Sequence, residues 1–194
     1  MNYPVRKRTE RLRNRVFTIV SDEVEMPGGE VAERDYMVHI GAVGVVALDE
    51  EDRVALVRQY RPALGFELWE LPAGLVDVPG EPLVDAAARE LAEEVDLTAA
   101  RYDLLVEMHT SPGCSTEKIR LFLARDLSEV PAERRHRRTH EEAGIQLHWI
   151  DLDEAVLMGL RGEITNAACM AGVFAAAHAR SLDWKPLRPV EAAT

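Results

Sequence analysis

Cysteine is scarce in this chain, with only Cys114 and Cys169 among 194 residues. The two form no pair at metal-ligand spacing and sit in no redox motif, so they read as two structural thiols. Long apolar runs are missing as well. No stretch approaches the roughly 20 apolar residues that a membrane span requires, and the opening MNYPVRKRTERLRNR lacks the apolar run of a signal peptide. A soluble cytoplasmic protein with no membrane partner is expected. Positive charge is also in deficit, because 23 Lys and Arg against 34 Asp and Glu leave a formal charge of −11. Such a charge repels a polyanion at long range, so nucleic acid is not expected as a partner. Small phosphate esters remain open, since a divalent cation held by clustered carboxylates reverses the local field.

Enough is present to fold without staples. Hydrophobic residues make up 47% of the chain, sufficient for a core that needs neither disulfide nor structural metal. Two β-rich runs, VFTIVSDEVEM and VAERDYMVHI, flank Pro27-Gly28-Gly29 and read as a hairpin. The runs 41–48 and 53–60 flank the acidic turn Asp49-Glu50-Glu51-Asp52 in the same way, and further strands are expected at 102–108, 118–124 and 145–150. Helices are expected from Asp151 to Arg161, capped at Asp151, and from Asn166 to Ser181, where Met170, Val173, Phe174 and Ala177 form a packing stripe. Strands interrupted by a few helices predict a mixed α+β or layered domain. The chain divides into an N-terminal β segment over 1–40, a main domain over 41–184 and a tail over 185–194.

The chemistry concentrates in one segment. Leu71-Pro72-Ala73-Gly74 opens a loop that runs through Asp77-Val78-Pro79-Gly80 to Glu81, and a helical stretch follows from Pro82 to Val95. Val84, Ala87, Ala88, Leu91 and Val95 recur at helical spacing as a buried stripe, and the other face carries Glu90, Glu93 and Glu94. Positions i, i+3 and i+4 are neighbours on a helix, so three carboxylates crowd one turn and call for a compensating cation. A hard ion such as Mg²⁺ takes oxygen ligands and keeps room for substrate phosphates. Arg89 is placed to hold one of these carboxylates in position. A solvated, glutamate-rich face is the plainer alternative for the helix taken alone.

With its upstream loop, the segment resembles the signature of the Nudix hydrolases, G-x5-E-x7-R-E-U-x-E-E-x-G-U with U aliphatic. Gly74, Glu81, Arg89, Glu90, Leu91, Glu93, Glu94 and Leu97 match it. Two departures stand out: six residues rather than five separate Gly74 from Glu81, and Asp96 occupies the second glycine position. The extra residue falls in a turn that can bulge outward, and Asp tolerates the left-handed backbone that favours glycine after a helix. The resemblance implies an α/β/α sandwich with a mixed sheet. It implies Glu90 and Glu94 as metal ligands, Glu93 as a further ligand direct or through water, and the main-chain carbonyl of Ala73 as another. Glu81 and Arg89 brace the motif. Mg²⁺ is the implied ion, with Mn²⁺ as the alternative.

Features outside the signature resemble the ADP-ribose pyrophosphatase branch: Glu70-Leu71-Pro72-Ala73-Gly74, and Pro112, fifteen residues beyond Leu97. This implies cleavage of ADP-ribose, or a related nucleoside diphosphate sugar, to AMP and ribose 5-phosphate. It also implies a homodimer in which the N-terminal β segment helps to build the adenine site. Arg61 falls where the branch has a substrate-contacting arginine, and Arg34 is a second candidate, for a contact across the dimer. The branch carries a catalytic glutamate on a loop ahead of the strand at 145–150. Glu142 is the first candidate for this base and Glu141 the alternate, with Glu133 set below both. His136 and His140 lack the glutamate of a zinc helix motif, and no zinc site is read there. Other Nudix pyrophosphatases, and a catalytically inactive Nudix-fold ligand sensor, are the competing readings.

Overall fold

The computed structural model describes residues 3–138 and 144–190. The chain forms two compact units, one of Met1–Gly41 with His109–Lys118, the other of Ala42–Met108 with Ile119–Thr194.

The smaller unit holds an antiparallel sheet of β1 (Val5–Arg13), β2 (Phe17–Glu25) and β3 (Val31–His39), in that order. Pro27-Gly28-Gly29 makes the β2–β3 turn, with Gly28 and Gly29 at φ +112° and +87°, where a side chain is disfavoured. The basic opening is a strand because β2 answers it with acid. Arg8 lies opposite Asp22 and Lys7 opposite Glu23, and Arg6 reaches Glu25 at 2.9 Å. Opposite charges directly across a ladder stabilise the pairing. The segment 109–118 docks on β3 through Met37 N–H to the Cys114 carbonyl at 2.8 Å and Thr116 N–H to the Met37 carbonyl at 2.9 Å.

The larger unit contains β4 (Ala42–Ala47), β5 (Arg53–Arg61), β6 (Phe66–Glu70), β7 (Ala73–Leu75), α1 (Leu83–Val95), β8 (Leu97–His109), β9 (Lys118–Glu129), β10 (Gln146–Asp151), α2 (Leu152–Leu160), α3 (Ala167–Ser181) and β11 (Arg188–Pro189). The strands form two sheets, ordered β11-β8-β9-β4-β7 and β10-β5-β6. The first is mixed, since β4 runs parallel to β9 and antiparallel to β7.

Strand alternation decides the layers. Val43, Val45 and Ala47 of β4, with Ala55 and Val57 of β5, pack with Ala86, Ala87, Leu91 and Val95 of α1. Their neighbours Val46, Leu48, Val54 and Leu56 pack instead with Leu152 and Ala155 of α2 and Cys169, Val173 and Ala176 of α3. Successive side chains point to opposite faces, so the sheets lie between α1 on one side and α2 with α3 on the other. This is the α/β/α sandwich that the resemblance implied. Asp151 caps α2 by accepting from Asp153 and Glu154 N–H at 2.9 and 3.1 Å, and Asn166 caps α3 by accepting from Cys169 N–H at 2.9 Å. The buried stripe of α3 runs through Cys169, Gly172, Val173, Ala176 and Ala179, so Met170, Phe174 and Ala177 flank it. No helix among the described residues is long and apolar enough to cross a membrane.

Candidate functional site

The site is assembled where β7 meets α1. Pro82 precedes the helix with extended backbone, and the turn of residues 77–80 is exposed, with Gly80 at φ +81°. The extra residue of the signature loop thus bulges into solvent. At the other end Asp96 adopts φ 57° and ψ 33°, the left-handed geometry for which glycine is usual.

Glu90 and Glu94 do not lie on a solvated face. Their residues are only 9% and 7% exposed, turned inward beside Leu91 and Val95. Two features of β7 make that burial tolerable. Gly74 leaves the space that Glu90 fills, since a Cβ there would stand 1.9 Å from the Glu90 Cδ. Ala73 N–H donates to Glu94 Oε2 at 2.9 Å. Glu93, the third carboxylate of the set, keeps 35% of its side chain exposed.

Arg89 knits the carboxylates together. Its Nε and Nη2 donate to the two oxygens of Glu81, each at 3.1 Å, and its Nη1 donates to Glu90 Oε1 at 2.6 Å and Glu93 Oε2 at 3.5 Å. Asp77 lies 3.8 Å from Nη2. These bonds draw the Glu81 carboxyl below the ordinary glutamate range. Burial pushes Glu90 the other way, and Glu93 and Asp77 add repulsion that Arg89 only partly offsets. A bound cation would relieve that conflict.

Among the described residues, no three carboxylate, imidazole or thiol groups converge closely enough to enclose an ion. The chemistry of the donor set nevertheless fits a hard divalent cation, with two buried carboxylates one turn apart, a third beside them and main-chain oxygen at β7.

The remaining candidates fall in three places. Arg61 ends β5 and is gripped by Glu70, through Nε at 2.8 Å and Nη2 at 2.5 Å, and Glu70 is 4% exposed and three residues ahead of Ala73. Arg34 and Pro112, far apart in sequence, line one cavity of about 400 Å³ in the smaller unit, together with Tyr3, Asp22, Asp35 and Tyr36. Glu141, Glu142 and His140 lie outside the described residues. Glu133 is exposed in a single 3-10 turn, Ala132–Arg134. Glu70 enters the sequence reading only as part of the Glu70–Gly74 motif, and neither its grip on Arg61 nor the contact of Arg138 with the signature helix is foreseen there. The one available signal for Arg138 was the missing glycine at Asp96.

The NUDIX domain profile matches residues 38–170. The chain belongs to the Nudix family. Among its Nudix relatives, an ADP-ribose pyrophosphatase of Mycobacterium tuberculosis is 44% identical over 176 residues, covering 91% of this chain and 83% of the relative. Another ADP-ribose pyrophosphatase, from Bacillus subtilis, is 31% identical over 153 residues, covering 79% and 80%. The crystal structure of an ADP compounds hydrolase superposes on this Nudix chain with a TM-score of 0.79 over 94% of it and 96% of that chain. At 22% identity, that likeness speaks to the fold alone.

Proposed function

We propose that this protein hydrolyses the diphosphate bond of ADP-ribose, or of a closely related nucleoside diphosphate sugar, to AMP and a sugar phosphate such as ribose 5-phosphate. The observation that carries the reading is the inward turn of Glu90 and Glu94 against β7, in a chain 44% identical to an enzyme named for this activity. Buried carboxylates in repulsive company have a purpose when a cation joins them.

Glu90, Glu94 and the Ala73 carbonyl hold the ion, Mg²⁺ or Mn²⁺, with Glu93 as a further ligand, direct or through water. When bound, such an ion lowers the pKa of water and offsets charge on the phosphoryl oxygens. Arg89 and Glu81 keep the carboxylates in register. Glu70 fixes the plane of the Arg61 guanidinium, and a guanidinium set in one plane suits the paired oxygens of a diphosphate. Glu142, with Glu141 as alternate, takes the proton of the attacking water, because Glu90 and Glu94 are engaged as ligands.

The same reading makes the protein a cytoplasmic homodimer, with the N-terminal sheet meeting the partner subunit. Leu12 and Val31, which the strand register puts on one face of that sheet, are 52% and 45% exposed, apolar surface that a second copy would cover. Arg34 and Pro112 then serve the nucleotide end of the substrate.

The test is turnover by purified protein with Mg²⁺ across ADP-ribose, other nucleoside diphosphate sugars, nucleoside triphosphates and dinucleoside polyphosphates, read as released phosphate monoester. ADP-ribose or a close analogue should give the highest kcat/KM. Preference for a triphosphate or dinucleoside polyphosphate would move the protein elsewhere in the family, and no turnover of any diphosphate would favour the ligand sensor.

A further inference from the structure

The last turn of α1 runs against the usual electrostatics of a helix end. Unpaired carbonyls there favour a cation, yet the turn carries Glu93 and Glu94 and no basic residue. The position after it, where the Nudix signature has glycine, is Asp96 in left-handed geometry. Both departures are answered by one side chain from a distant segment.

Arg138 lies 45 residues beyond Glu93, and its Nε donates to the Glu93 carbonyl at 2.9 Å. Its Nη2 donates to Asp96 Oδ2 at 2.5 Å. The two side chains are only 25% and 20% exposed. Asp96 is held by its main chain too, through its N–H to the Leu91 carbonyl and its carbonyl to Val130 N–H at 2.8 Å. The second carboxylate oxygen, Oδ1, is buried with no hydrogen-bond partner among the described residues. Arg138 is the cation that pairs with this largely buried carboxylate among the described residues.

We propose that Arg138 is a positioning residue: with Asp96 it clamps the last turn of the signature helix, does the work of the missing glycine, and so sets the reach of Glu93 and Glu94 toward the metal. A planar fork suits the task, because it serves a helix carbonyl and a carboxylate at once, as a lysine ammonium does less well. The inference rests on the metal reading proposed above.

Mn²⁺ binding, followed by electron paramagnetic resonance well below the unfolding temperature, tests the clamp on wild type, Arg138→Met, the double variant Asp96→Gly with Arg138→Met, and Glu94→Gln. Groups that orient metal ligands change affinity by about 10–100-fold when lost, so Arg138→Met should bind Mn²⁺ about tenfold more weakly. The double variant should recover most of that loss, because glycine takes the same backbone and leaves no buried carboxylate uncompensated. Arg138→Lys, which keeps the charge and loses the fork, should fall between wild type and Arg138→Met. A lower unfolding temperature with wild-type Mn²⁺ affinity in Arg138→Met would make the contact merely structural and overturn the proposal, as would a double variant no better than Arg138→Met. Should Glu94→Gln also bind Mn²⁺ like wild type, the metal reading fails and the clamp with it. Weak binding by Glu94→Gln beside normal binding by Arg138→Met sinks the clamp alone.

Discussion

Gly74 and Glu90 occupy the same space in turn: the Glu90 carboxyl sits where the first side-chain carbon of any other residue at position 74 would be, 1.9 Å from that point. Gly74 is needed here for room. Gly74→Ala should push Glu90 off β7, with a stability cost of about 1–3 kcal/mol for the overpacking, and a larger loss in activity at limiting Mg²⁺ than at saturating Mg²⁺. Denaturant unfolding and an Mg²⁺ titration of turnover read the two effects. Unchanged Mg²⁺ dependence would show that Glu90 does not need its position.

Glu142 is the base proposed for the attacking water. A positioned base contributes about 10²–10⁴-fold in rate, so Glu142→Gln should lower kcat by that order with much less change in KM. Glu141→Gln is the internal control. A large loss in Glu141→Gln with none in Glu142→Gln shifts the register by one, and no loss in either places the base elsewhere, with Glu93 next in line.

The smaller unit should be acid-sensitive through Asp22. Its fully buried carboxylate accepts from Arg8 at 2.8 and 2.7 Å and from the Tyr36 hydroxyl at 2.5 Å. The hydrogen bonds from Arg8 hold its pKa down to about 2, from an ordinary 3.8, against the opposing effect of burial. Folding lowers this pKa, so across that window the unfolded state binds more protons and stability rises with pH. The contribution is complete above 3.8 and is lost as pH falls through about 2. Hydrogen exchange of the β2 amides should lose protection over that interval in wild type. Asp22→Asn should flatten the dependence, and an identical acid profile in both proteins would remove Asp22 as its cause.

Dimerisation has a direct reading in light scattering. The expected mass is about twice the 21.7 kDa chain. A clean monomer that hydrolyses ADP-ribose at full rate would remove the partner-built nucleotide site, and Arg34 with it.

Legibility from sequence followed the range of the interactions involved. β4, β5 and α1 were readable because alternation and helical spacing are local patterns that burial enforces, as with Val43, Val45, Leu91 and Val95. β1 was hidden, since Arg6, Lys7 and Arg8 look like a solvated basic run until Glu25, Glu23 and Asp22 are laid beside them. β6 was hidden too, as Phe66–Glu70 runs almost directly into the signature loop. Helical spacing puts Glu90, Glu93 and Glu94 on one turn, but a carboxylate on a helix reads as solvent-facing, and only Gly74 and Ala73 N–H show why Glu90 and Glu94 can turn inward. The convergence of Arg34 with Pro112, and of Arg138 with Asp96, joins residues too far apart for any periodic pattern to report.

The most direct test of the account is ADP-ribose hydrolysis with Mg²⁺ by wild type and Glu94→Gln, with products identified and folding checked by circular dichroism. Glu94→Gln keeps nearly the volume of the side chain and removes its charge. Wild type should release AMP and ribose 5-phosphate. The variant should stay folded and lose more than about 100-fold in kcat/KM, the equivalent of roughly 3 kcal/mol of lost transition-state stabilisation. Wild-type turnover by a folded Glu94→Gln protein at limiting Mg²⁺ would contradict the assignment of the signature helix as the metal site.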